Sequence, residues 1–219
     1  MSIAGVAIFG ALSVVLTLLS VSLGLNFPLL PYLQFDFGEV AIFLAFFIFG
    51  PIPAFVSGFV EFGTLLVIGE NTPIGPVLKL ISILSSLLGV WAGTALVARL
   101  GKPGLNKAAA LGAALGLVSR VIAMTIANYA LIVFFSKYFS DYSLDAIVGY
   151  VAPYFKPIGV TLTTANALTF VLGFTAVFNI LQLLLVLVIS YLIVRLPQIQ
   201  SAKTAGRRLW IVSYIQRKD

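Results

Sequence analysis

The residues best equipped for chemistry in this chain are few and sit within apolar sequence. Glu61 and Arg120 fall near the middle of long hydrophobic runs, and Lys79 lies in the first turn of another. An ionised group in hydrocarbon is costly, so each must meet a partner or a cavity. Glu61 and Arg120 carry opposite charges, and one expectation is that they pair. Lys79 is expected either to snorkel to the headgroups or to line an outward-facing pocket. Three amides, Asn128, Asn179 and Gln182, are also set in apolar runs. Asn179 and Gln182 are three apart and share a helix face. An unpaired amide in hydrocarbon is expensive. These amides therefore either bond between helices or face a ligand that takes several neutral hydrogen bonds.

What is missing narrows the chemistry further. The chain has no cysteine and no histidine. Disulfides, thiolate chemistry, soft-ligand metal sites, imidazole bases and Ser-His triads are thereby excluded. It has no G-x-x-x-x-G-K-S/T phosphate loop, so it does not hydrolyse ATP by that device. No catalytic pair is evident, and the chain reads as a non-enzyme.

Lipid must surround the elements that position these residues. Of 219 residues, 61% are hydrophobic and 9% charged. Soluble domains carry about 25% charged residues, so water cannot cover this surface. A helix needs about 20 apolar residues to cross the hydrocarbon core. The expected helices are 3–23, 40–49, 54–68, 77–98, 108–135 and 168–194. Ile3 onward reads as a retained helix rather than a cleaved leader, since no basic n-region precedes it. Gly50-Pro51-Ile52-Pro53 breaks the second from the third. These two are short, and are expected to pack inside the bundle or to tilt little. The connection from Ser136 to about Thr164 is amphiphilic, with room for a short helix. The fold class is thus an all-α integral membrane protein, one six-helix domain.

Basic residues orient it. Arg99, Lys102 and Lys107 lie in the fourth-to-fifth connection, and Arg195, Lys203, Arg207, Arg208, Arg217 and Lys218 lie in the tail, 195–219. The opposite connections hold Lys137 and Lys156 with the acids Asp36, Glu39, Glu70, Asp141 and Asp145. The positive-inside rule places both termini in the cytoplasm. The net charge of +6 is explained by this bias, without nucleic acid as a partner.

Small residues four apart allow close helix approach. Ala7-x-x-x-Ala11, with Ala4 and Gly10 beside it, serves either packing within the chain or a partner. Gly89-x-x-x-Gly93 and Gly112-x-x-x-Gly116 favour internal packing. The outer connections are rich in aromatics: Phe27, Tyr32, Phe35, Phe37, Tyr138, Phe139, Tyr142, Tyr150, Tyr154 and Phe155. Most are expected in an interfacial belt, and a minority over a pocket.

Four segments together resemble a family. They are Ala7-x-x-x-Ala11, the run YLQFDFGEVAIFLAFFIFGPIPAFVSGF (Tyr32 to Phe59), MTIANYALIVFF (Met124 to Phe135) and VFNILQLLLVLVISYLI (Val177 to Ile193). In size, layout and these motifs the chain is similar to the S components of energy-coupling factor (ECF) vitamin transporters, most of all the riboflavin-specific members. The resemblance implies a substrate-capturing subunit in the cell membrane, with riboflavin as transported substrate and no cofactor. It implies a transmembrane coupling protein docked on Ala7 and Ala11, and two ATPase subunits. It implies that Asn128 and Asn179 hydrogen-bond a flavin ring. It further implies that the first outer connection closes over the ligand, and that the subunit topples to release it. Asp36, Tyr32, Phe35, Gln182 and Lys79 complete the expected binding set. The chain departs from the pattern in three places: the family's helix-six lysine is Gln182 here, its proline before Phe-Asn is Val177, and its fourth-helix start G-E-x-x-N-F is Gly75-Pro76-Val77-Leu78-Lys79-Leu80. Thiamine, biotin and pantothenate are the alternative substrates, and a structural membrane subunit is the alternative role.

Overall fold

A computed structural model describes residues 3–68, 73–100, 104–196 and 209–215. Glu70, Lys102, Lys203, Arg207, Arg208, Arg217 and Lys218, used above for orientation, lie outside the described residues. The order is α1 (Ile3–Ser22), β1 (Asn26–Phe27), β2 (Leu30–Gln34), α2 (Gly38–Phe49), α3 (Pro51–Ile68), α4 (Ile74–Arg99), α5 (Leu105–Ala130), α6 (Leu144–Phe155), α7 (Thr164–Arg195) and α8 (Trp210–Ile215). Among the described residues five helices are long and apolar enough to cross a membrane: α1, α3, α4, α5 with its continuation to Phe135, and α7. α2 is apolar but shorter.

α2 is the hub. Every residue from Gly38 to Phe47 is buried, as befits a helix that is apolar all round. Of the two expected alternatives, α3 does not take the one of packing inside the bundle. It leaves Ile52, Phe59, Val60, Leu66, Val67 and Ile68 exposed, an apolar face of the kind lipid covers. The α2–α3 turn needs Gly50, whose φ is 100°, a region other residues avoid. A Cβ there would also lie 2.9 Å from the Trp210 ring of α8. Pro51 follows as the first residue of α3, where its missing N–H costs nothing.

α4 and α5 pack most closely, through their glycines. A Cβ on Gly93 would strike the Leu111 carbonyl and the Gly112 backbone, and one on Gly89 the Leu115 carbonyl and Gly116. Gly93→Leu is therefore expected to cost about 3 kcal/mol, the upper end for overpacking. Gly63→Leu, with open space at its Cβ position, should cost nothing measurable. Thermal unfolding of both variants in detergent checks this. α1 buries Gly5, Gly10, Ser13, Thr17 and Ser20 but leaves Ala4, Ala7 and Ala11 exposed. The Ala7-x-x-x-Ala11 face thus does not pack within the described chain.

The first outer connection is not purely loop. β1 and β2 pair antiparallel, Asn26 opposite Gln34 and Phe27 opposite Leu30. The second connection holds α6, whose Ile147, Val151 and Phe155 form one buried face against α7 and the hairpin. Ser143 caps α6 by accepting the Ala146 N–H. Thr163 and Asn166 form a capping box at the start of α7. Among the described residues the two larger apolar clusters lie at different levels of the bundle. One gathers Phe43, Phe46, Leu87, Val90, Leu183 and Ile211. The other gathers Phe27, Leu30, Ile132, Val151, Phe155 and Phe178 beneath the hairpin and α6. Along α7, Asn179 and Gln182 fall between Phe178 of the second cluster and Leu183 of the first.

Candidate functional site

Between the two clusters lies a layer of buried charge, held by four helices and the first connection. Its first group centres on Lys79 of α4. The ammonium pairs with Asp36 of the connection and with Glu61 of α3, the latter at 2.6 Å. It also donates to the Thr17 hydroxyl of α1 at 2.8 Å. That hydroxyl lies 2.9 Å from Asp36 Oδ1 and 2.5 Å from Glu61 Oε1. The Gly38 N–H donates to Asp36 Oδ1 at 2.6 Å. Gly38 is the close approach that makes this possible. A Cβ there would collide with the Thr17 hydroxyl and the Ser13 carbonyl.

The second group centres on Arg120 of α5. Its guanidinium grips Glu39 of α2 with both ends, Nη1 to Oε2 at 2.6 Å and Nη2 to Oε1 at 3.0 Å. Nε donates to Asn179 Oδ1 of α7 at 2.9 Å. Such a bidentate, charge-assisted pair is the strong kind of ion contact. Both partners are almost wholly buried. The expected Glu61–Arg120 pair is therefore corrected: Glu61 meets Lys79, and Arg120 meets Glu39. Glu39 had been counted among the outer acids. It lies instead in the first turn of α2, where the hydrophobic stretch hides it from water.

The amides of α7 serve the frame. Gln182 clamps the backbone of Asp36, its Nε2 donating to the Asp36 carbonyl at 2.7 Å and its Oε1 accepting the Asp36 N–H at 3.2 Å. Asn179 Nδ2 donates to the Thr175 carbonyl, so both its polar atoms are engaged. Asn128 Nδ2 donates to the Met124 carbonyl at 2.8 Å, and its Oδ1 makes no hydrogen bond among the described residues. Gln34 and the Phe37 N–H further tie the connection to Ser20 at the end of α1.

Above this layer is a cavity of about 780 Å³, within the usual range of about 300–1,000 Å³ for small-molecule sites. It collects Tyr32, Asp36, Lys79, Asn128, Asn179 and Gln182 from the expected set. Phe35 is not on its wall. That ring packs on Phe27 and Phe178, at 6.3 and 5.2 Å between centroids. Residues not singled out as ligand contacts also line it, among them Glu39, Arg120, Met124, Asp141, Tyr142 and Tyr150. Of the outer aromatics, Tyr32, Tyr142 and Tyr150 face the cavity, whereas Phe155 is buried and Tyr138 exposed. Desolvation pushes the Tyr32 and Tyr142 phenols above their ordinary range, so both remain neutral at working pH. Just past Asn128, α5 widens over Leu131–Phe135. Such π-type turns often mark functional sites, and this one places Leu131 and Ile132 on the cavity wall.

The arrangement can bind and orient a small molecule. A family model described as the substrate-specific component of ECF transporters matches residues 2–194. Neither curated proteins nor solved structures gave a match. Components of this kind bind the substrate for an ECF transporter and are not enzymes. With nearly all its length matched by that model, the chain belongs to the family of ECF transporter substrate-specific components.

Proposed function

We propose that the chain captures a vitamin outside the cell, riboflavin first among them, for uptake through an ECF module. The observation that carries this reading is the cavity of about 780 Å³ roofed by the hairpin and α6 and floored by the charged layer. Its walls mix apolar side chains with a few fixed polar groups, the usual recipe for a small-molecule site. The riboflavin choice rests on the sequence resemblance, and the unpaired Asn128 carbonyl supports it by offering an acceptor to a ring N–H. In this reading α2 makes a sixth crossing, and both termini are cytoplasmic in the cell membrane. Arg99, Lys107 and Arg195 lie at the ends of α4, α5 and α7 away from the cavity, which agrees with an outward opening. The exposed Ala7 and Ala11 of α1 dock the transmembrane coupling protein, which two ATPase subunits drive.

A purified protein that carries a flavin shows yellow absorbance in the visible blue. That colour, or saturable riboflavin binding by the colourless protein, is the expected result. Failure of both removes riboflavin and brings the other vitamins forward. Asn128→Leu is expected to weaken riboflavin binding by about 1–3 kcal/mol with unfolding unchanged, as read by titration and melting of the same preparation.

A further inference from the structure

We propose that the cavity selects by charge: it takes an uncharged or cationic ligand rich in N–H or O–H donors and rejects anions. This rests on the capture reading and narrows its substrate class. Two cations line the cavity, Lys79 and Arg120, and the charge of each is already matched by a carboxylate. Arg120 spends Nη1 and Nη2 on Glu39 and Nε on Asn179. Lys79 spends its ammonium on Asp36, Glu61 and Thr17. A ligand carboxylate or phosphate would have to displace one of these acids and leave it buried without a counter-ion. The acids also outnumber the bases. Asp36, Glu39 and Asp141 line the cavity against those two cations, and Glu61 sits behind Lys79. In a partly desolvated site this uncompensated negative charge repels anions and attracts cations.

Two acceptors on the wall without a partner among the described residues point the same way. Asn128 is buried and its carbonyl oxygen has no partner among the described residues, its Nδ2 being committed to Met124. Asp141, exposed at the rim, has no hydrogen bond or ion pair among the described residues. The Tyr32 and Tyr142 hydroxyls stay neutral and add no charge. A ligand presenting donors satisfies this set, whereas an anionic group adds only further acceptors.

Equilibrium dialysis of the full chain in detergent decides the matter with four probes. These are riboflavin (neutral), thiamine (cationic), riboflavin 5′-phosphate (the same ring with an anionic group) and pantothenate (anionic). Riboflavin or thiamine should bind saturably, and both anions at least about 100-fold more weakly, the effect of a like-charge clash of several kcal/mol. Asp141→Asn, at the exposed rim, should fold normally and narrow the neutral-to-anion ratio several-fold. Thiamine binding without riboflavin binding supports the charge rule and removes riboflavin. Pantothenate or the phosphate binding as tightly as riboflavin overturns the rule and leaves capture standing. Binding of none of the four overturns the charge rule together with riboflavin as the substrate.

Discussion

Replacing Arg120 with methionine is expected to destabilise the protein by about 3–5 kcal/mol, the usual result of removing one partner from a buried ion pair. The cost arises at Glu39, which would keep its charge 2% exposed with no cation in reach of either oxygen. Asn179 Oδ1 would lose its donor as well. Because this one guanidinium joins α2, α5 and α7, its loss should show as lower melting temperature and poor recovery of folded protein. A second change, Glu39→Gln, removes the stranded charge and should restore most of the stability. Glu61→Gln should not, because Glu61 belongs to the Lys79 group. Melting curves for the two double variants in one detergent separate these pairings. Rescue by Glu61→Gln rather than Glu39→Gln would overturn the observed partners.

Lys79→Met should destabilise by about 2–4 kcal/mol. The mechanism is the same, but it is discounted because the Lys79 and Asp36 side chains keep 18% and 13% exposure. It leaves two carboxylates, Asp36 and Glu61, around one threonine hydroxyl. Since Asp36 belongs to the connection roofing the site, the loosened connection should also weaken ligand binding. Lys79→Met with Glu61→Leu should regain part of the stability. Lys79→Met melting like the parent would show that the ammonium contributes no net stability there.

The long apolar helices were legible because hydropathy reports them directly. Their N-terminal ends were less so. α4, α5 and α7 begin three or four residues before the apolar runs suggest, since hydropathy does not register a first turn set by glycine, proline or a capping threonine. The β1–β2 hairpin was missed. Its strands are two and five residues long, and Pro28 and Pro31 mask any alternation. The site residues were visible as polar residues in apolar sequence, but their partners were not. Pairing depends on helix rotation and on which helices are neighbours, and one sequence specifies neither. Glu39 shows the difficulty most clearly. At the start of the apolar run it reads as an outer acid, and only the burial of all of α2's first turns makes it the counter-ion of Arg120. Asn179 and Gln182 share a helix face as expected, yet one holds Arg120 and the other the Asp36 backbone. Both shape the cavity through what they hold in place.

The proposed place of substrate capture is the cavity beneath the hairpin and α6. Quenching of riboflavin fluorescence by the purified chain tests it most directly, with Ala146→Trp as the decisive variant. Ala146 lies exposed on α6 with its side on the cavity, so a tryptophan there fills the space without disturbing the buried layer. The account predicts saturable, one-to-one quenching by the parent and by Ala110→Trp, exposed on α5 and off the cavity wall, and its loss in Ala146→Trp. No quenching by the parent would remove riboflavin as the substrate, and equal quenching by Ala146→Trp would contradict capture in this cavity.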